Sequence, residues 1–219
     1  MDSAPATLIG DLIASRDVPR RGWLQRMLDE TLERVNSKLL PPQPVRAAMG
    51  DEFQGVFETV GEAVRASILI RLELQKAADV DTRFGLGYGS VSPVTDLFPA
   101  PQDGPGWWSA RDAISRSEQL SRDPRTVFVR TVFACEQRES KIAQSEVSAL
   151  NSFLVCRDAL VHQMNPRRRR LLLGLLQGRA QTELAREEGI SPSAVSQNLS
   201  RSGAYAIDLA SMAMDKPFW

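Results

Sequence analysis

The sequence predicts an α+β protein, an antiparallel sheet with helices on one face, followed by a C-terminal all-α unit. Three features carry that expectation. Apolar or alternating runs at 6–10, 45–49, 54–58, 81–92 and 125–130 have strand length and strand composition. The stretches between them place apolar residues at helical spacing. From residue 141 onward the strand signal ends and helical spacing continues alone.

Taken in order, ATLIG (6–10) reads as a buried strand ending in Gly-Asp. Trp23, Met27, Leu28, Leu32, Val35 and Leu39 form one face of a helix over about 20–40, which Pro41, Pro42 and Pro44 stop. VRAAM (45–49) and QGVFE (54–58) flank GDE and suggest a hairpin with the carboxylates at or beside its tip. Ala63, Ile68, Leu72 and Leu74 mark a second helix over about 61–77. In DTRFGLGYGSVS (81–92), Gly85, Gly87 and Gly89 share one face of a strand and leave room for something pressed against the sheet. Residues 93–106 read as a loop or flap, 107–120 as a helix and RTVFVR (125–130) as an edge or final strand. The order β-α-β-β-α-β is ferredoxin-like, and in that fold strands one and three lie side by side.

Composition narrows the function classes. The chain has 219 residues, 42% of them hydrophobic, and no net charge. That neutrality hides an asymmetry. Residues 1–162 hold 19 Lys/Arg and 22 Asp/Glu, whereas residues 163–219 hold 8 and 5. A basic tail beside an acidic body points to a polyanion partner. Cys135, Cys156 and His162 are too few for a zinc site of the usual kind, and no zinc or haem is expected. No apolar run has the length of a membrane span, and the N-terminus lacks a basic leader region. A cytoplasmic protein without membrane contact is expected.

The run MGDEFQGVF (49–57) admits two readings, a solvated acidic turn or a carboxylate site for a metal or nucleotide. LIGDLIASR (8–16), MGDEFQGVF, RFGLGYG (83–89) and GPGWWSARDAI (104–114) resemble the SatD family in that order and at comparable spacing, over about residues 6–130. That family borders on the GGDEF and class III nucleotide cyclase superfamily, so the resemblance implies a cyclase-palm-like domain. In such palms one aspartate ends the first strand and another acidic residue sits at the hairpin of strands two and three. The matching positions here are Asp11 and Asp51, with Glu52 adjacent. The resemblance thereby implies Mg²⁺ at Asp11 and Asp51 with a purine nucleotide, whose phosphates complete the coordination. Ser15 and Arg16 would suit a phosphate at the start of helix one, and Arg83 and Arg111 could meet phosphates too. The chain departs from the diguanylate cyclase pattern in having Met49-Gly50 where two glycines stand, and it lacks the late Asn/Arg pair of class III cyclases.

The C-terminal stretch divides into three helical pieces. Gly189 closes TELAREE (182–188), Ser191 is an N-cap and Pro192 stands at the first helical position. This is a helix-turn-helix pattern. With Val195 and Leu199 inward, Ser193, Ser196, Gln197, Ser200 and Arg201 face outward as candidate base readers. Arg167, Arg168, Arg169 and Arg170 are candidate phosphate clamps. Expected units are a palm domain over 1–140, a connecting and dimerising helix over 141–164 and a DNA-binding domain over 165–219. The leading expectation is a homodimeric DNA-binding transcription regulator, more a sensor of Mg²⁺ or nucleotide than an enzyme, with double-stranded DNA as partner. A nucleotide-processing enzyme with a DNA-recruiting tail and a protein-interaction adaptor stay open beside it.

Overall fold

A computed structural model of the chain describes residues 4–13, 21–48, 50–93, 102–136 and 142–215. Strand β1 (Ala6–Leu12) leads to helix α1 (Arg21–Leu39), strands β2 (Gln43–Ala47) and β3 (Glu52–Phe57), helix α2 (Val60–Ala78) and strand β4 (Thr82–Tyr88). A short pair follows, β5 (Ser92–Pro93) with β6 (Gln102–Asp103), then helix α3 (Pro105–Leu120) and strand β7 (Thr131–Cys135). Helices α4 (Gln144–Gln163), α5 (Pro166–Leu176), α6 (Gln181–Glu188), α7 (Pro192–Arg201) and α8 (Ala204–Asp215) complete the described chain.

The main sheet has the order β2-β3-β1-β4-β7. Its first four strands pair antiparallel, with β1 between β3 and β4 as the ferredoxin-like order requires. β7 then adds parallel to β4. The expected purely antiparallel sheet is thus corrected to a mixed one, because α3 carries the chain across the sheet before β7.

The last strand also lies later than expected. RTVFVRTVFAC (125–135) contains two overlapping strand-like frames, and a tertiary contact selects the second. One Asp158 carboxylate oxygen accepts from the backbone N–H of Arg130 and of Thr131, at 2.8 and 2.7 Å. The Phe84 N–H donates to the Arg130 carbonyl at 2.7 Å and starts the β4–β7 ladder there. Residues 124–128 form turns instead.

Helices cover both faces of the sheet, not one. Leu24, Leu28, Leu32 and Val35 of α1 share a buried cluster with Leu8, Phe53, Phe57, Phe84 and Leu86. The opposite face places Ile9 and Val56 against Trp107, Ala110 and Ile114 of α3. Gly85 and Gly87 permit that second layer. A Cβ on Gly85 would lie 2.1 Å from the Ala110 carbonyl oxygen, and one on Gly87 would lie 2.2 Å from that of Gly106. The partner pressed against the glycine face is therefore α3 itself.

Helix α2 is buried almost all round, from Gly61 through Leu74, as its nearly continuous apolar run ASILIRLEL requires. α1 flanks it on one side, and the C-terminal helices contribute Leu171, Leu172, Leu173, Leu176, Leu184, Val195, Leu199 and Ile207 to the same apolar cluster. Arg65 donates to the Leu176 carbonyl at 3.1 Å and Lys38 to that of Gln177 at 2.9 Å. Both cations sit at the negative C-terminal end of α5. Among the described residues no helix is long and apolar enough to cross a membrane.

Candidate functional site

Two adjacent rungs of the sheet differ sharply in chemistry. In the rung Phe53–Gly10–Phe84 the central residue has no side chain, and a Cβ there would lie 2.2 Å from the Phe53 ring. The two rings meet edge to face, 5.9 Å between centroids, in the core under α1 and α2. One residue along, the strands turn their side chains to the opposite face. That rung is Glu52–Asp11–Arg83, all polar and facing the α3 side.

The hairpin brings the acidic residues there. Gly50, at φ 67°, takes the left-handed conformation of the β2–β3 turn, and the Ala48 N–H donates to the Glu52 carbonyl at 2.8 Å. Asp51 lies in the turn and Glu52 opens β3. Helix α3 supplies the facing wall. Arg111 grips Glu52 with two parallel bonds, Nη1 to Oε2 at 2.5 Å and Nη2 to Oε1 at 2.7 Å. One face of the helix further along, Glu118 lies 3.5 Å from Arg83 Nη1 and accepts from Arg122 at 2.8 Å. Arg83 Nε is buried without a hydrogen-bond acceptor and sits 3.6 Å from Asp11 Oδ2, beyond hydrogen-bond reach.

The electrostatics are unbalanced at Asp11. Burial pushes its carboxyl up from 3.8 to about 6, helped by the negative charges of Asp51, Glu118 and Glu52 and opposed by Arg83. A cation near Asp11 and Asp51 would relieve that crowding. Among the described residues no group of three or more acidic, His or Cys side chains forms a metal cage. The donor set still suits Mg²⁺, which commonly takes one or two carboxylates and completes its shell with water and substrate phosphate.

Of the residues singled out from sequence, Asp11, Asp51, Glu52, Arg83 and Arg111 come together here. Ser15 and Arg16 lie outside the described residues. Glu118 and Arg122 escaped the sequence reading. Their signal was spacing, since Glu118 follows Arg111 by seven residues and so falls on the same face of α3.

Three of the C-terminal arginines lie beside polar side chains of the later helices. Arg170 pairs bidentately with Glu188 at 2.6 and 2.7 Å, Arg167 lies 3.6 Å from the same carboxylate, and Arg168 reaches Asn198 at 3.5 Å. The Arg169 Nε is buried. On α7, Val195 and Leu199 are buried, while Ser193, Gln197, Ser200 and Arg201 are exposed and Ser196 is half-buried.

The chain matches the SatD family over residues 6–211, a span that includes the C-terminal helices, and it belongs to that family. No curated protein matches it. Solved structures to which it is similar include a bacterial light-regulated adenylyl cyclase, at 19% identity and TM-score 0.45 over 60% of this chain and 75% of that one. Another is the non-canonical dimeric guanylyl cyclase domain of the RhoGC fusion protein from the aquatic fungus Blastocladiella emersonii, at 17% and 0.42 over 52% and 74%. A third is the guanylate cyclase domain of RhGC from Catenaria anguillulae in complex with GTP, at 16% and 0.42 over 52% and 73%.

These findings correct the expectation of a DNA-binding, helix-turn-helix transcription regulator that is more a sensor than an enzyme. The solved structures to which the chain is similar are described as an adenylyl cyclase and two guanylyl cyclase domains. Within the arginine run, Arg167 and Arg170 lie beside Glu188 and Arg168 reaches Asn198. The tail helices share the apolar cluster of α2 and fall within the family match.

Proposed function

We propose that the chain is a nucleotide-processing enzyme that binds its substrate with a divalent cation at Asp11 and Asp51. The observation that supports this most directly is the polar rung Glu52–Asp11–Arg83 facing Arg111 and Glu118 of α3, with Asp11 held above its usual range by burial and by neighbouring carboxylates. Asp11 and Asp51 would hold the cation and Arg83 and Arg111 would orient phosphate oxygens. Arginine suits this role because its planar fork matches two oxygens at once. A cation bound there supplies neutralisation of phosphate charge. The residues themselves contribute position. Asp11 is fixed by two neighbouring strands, and Arg111 and Glu118 by a helix seated on glycine.

The test is conversion of ATP and GTP, followed by chromatography of products, with Mg²⁺ or Mn²⁺. Turnover by the wild type that is lost in Asp11→Asn and Asp51→Asn supports the reading. Absence of both turnover and Mn²⁺ binding in the wild type overturns it.

A further inference from the structure

The Glu52–Arg111 pair engages both carboxylate oxygens and both terminal guanidinium nitrogens. Each carboxylate oxygen of Glu52 takes one terminal nitrogen of Arg111, at 2.5 and 2.7 Å, so neither side chain has its principal groups turned to a ligand. The pair is also accessible. Arg111 is 55% exposed and Glu52 24%, so the contact lies at the mouth of the polar surface. Glu52 is the register partner of Asp11, on the strand next to it.

We propose that this pair is a latch that opens for a cation–oligophosphate complex and disfavours either component alone. The proposal rests on the function proposed above and names how that site selects its ligand. Charge balance dictates the behaviour. A cation that took Glu52 alone would leave Arg111 without its counter-charge beside a second positive ion. A phosphate that took Arg111 alone would leave Glu52 facing an anion. When both arrive together, Glu52 turns to the cation and Arg111 to the phosphate, and one ion pair is exchanged for two. The ligand class is therefore the metal complex of a nucleotide's oligophosphate, discriminated from the free metal and from the metal-free nucleotide. The latch is weak enough to open, because an ion pair with a solvent-exposed partner is held only weakly.

The test measures each component alone on the full chain. Inorganic tripolyphosphate in EDTA is titrated by calorimetry, and free Mn²⁺ is followed by electron paramagnetic resonance. The proteins are wild type, Glu52→Gln, Glu52→Asp and Arg111→Gln. Glu52→Asp keeps the charge but shortens the arm, so it loosens the bidentate grip without changing the field at long range. Both Glu52 variants are expected to bind tripolyphosphate roughly three- to fivefold more tightly than wild type, the factor that release of such a pair allows. Arg111→Gln is expected to bind Mn²⁺ more tightly by a similar factor and tripolyphosphate more weakly. Tightening in Glu52→Gln with none in Glu52→Asp reports general charge and overturns the latch. Binding by wild type that neither Glu52 variant alters overturns the latch and leaves the site standing. Binding of neither probe by any of the four proteins overturns the latch, and the function falls with it only where ATP and GTP are also left unconverted.

Discussion

Asp158 of α4 and Thr131 of β7 are joined by a 2.7 Å hydrogen bond in the interior, where the carboxylate has no solvent exposure. The same oxygen takes the Arg130 N–H, and the other oxygen accepts from Arg157 at 3.0 Å and from Arg71 at 3.4 Å. Arg71 and Arg130 in turn share Asp81, each with a 2.7 Å bond. Asp81 also accepts the Ile13 N–H through its backbone carbonyl, just past the end of β1. A buried network thus ties α2, α4 and the starts of β4 and β7 to the strand end that carries Asp11.

Asp158→Ala is expected to be severe. It leaves the buried guanidiniums of Arg157 and Arg71 short of counter-charge and takes the acceptor from the backbone N–H groups of Arg130 and Thr131. Breaking a buried pair from one side costs about 3–5 kcal/mol. Urea unfolding followed by circular dichroism measures it. A loss within about 1 kcal/mol would show that the network is dispensable.

The seat of α3 gives a second expectation. In Gly85→Ala the new methyl meets the Ala110 carbonyl oxygen at 2.1 Å and the Ile114 nitrogen at 2.3 Å, both backbone atoms that cannot rotate away. Helix α3 must lift, at a cost on the order of 1–3 kcal/mol or more. Arg111 and Glu118 would move away from Glu52 and Arg83, so binding at the site should weaken along with stability. Gly22→Ala in α1 is the control. Nothing lies within 4 Å of its Cβ, and its melting temperature should match wild type or rise slightly.

The residues of the candidate site are more legible in the sequence than their surroundings are. Asp11 and Asp51 were legible because each stands beside glycine at the end of an apolar run, and the ferredoxin-like order predicts that their strands adjoin. The second helical layer was not, because Gly85 and Gly87 announce that something approaches without saying what. The frame of the last strand was ambiguous because RTVFVR and TVFAC have equal strand character, and only Asp158, some 27 residues further on, chooses between them. The buried network was hidden for a related reason. Charged residues on helices usually face water, and the sole local hint was Arg71 inside the apolar run ILIRLEL. In the tail, local capping and a two-residue core were read well at Ser191, Val195 and Leu199, but the burial of α5 and α8 against α2 is a tertiary fact.

Two aspartates should respond to pH with opposite signs. For Asp81, burial would raise the carboxyl, but Arg71 and Arg130 overcome it and hold it at about 2, below the ordinary 3.8. Its ionised form is favoured by folding, so its stabilisation is present above about pH 4 and fades as pH falls towards 2. Asp81→Asn should therefore destabilise strongly at pH 7 and progressively less below pH 4. Asp11 behaves in reverse. With its folded value raised from 3.8 to about 6, the folded protein binds the proton more tightly than the unfolded chain, and stability is lost as pH rises through that window. Asp11→Asn should raise the melting temperature at pH 7.5 and leave it unchanged near pH 3.5. Thermal scans at both pH values separate the two. A lower melting temperature for Asp11→Asn at pH 7.5 would mean that Arg83 already satisfies the carboxylate.

The shared core of α2 and the tail makes a prediction about autonomy. Arg65 and Lys38 bind the end of α5, and Gln177 donates to Glu73 of α2 at 2.7 Å. Leu171, Leu172, Leu173 and Leu176 are buried in the cluster that also holds Ile68, Leu69, Ile70 and Leu72. A protein ending at Met164 would lose this cover and expose part of α2, an apolar patch of the kind that binds hydrophobic dyes and aggregates. Residues 1–164 are expected to unfold at lower urea than the full chain, or with a broadened transition, and to bind anilinonaphthalene sulfonate in the absence of denaturant. Residues 165–219 alone would lack the opposite wall of their core and should give little cooperative melting. A shortened protein with the full chain's urea midpoint and no dye binding would instead mark the tail as an independent unit. In that case the contacts to Arg65, Lys38 and Glu73 would contribute docking without stability.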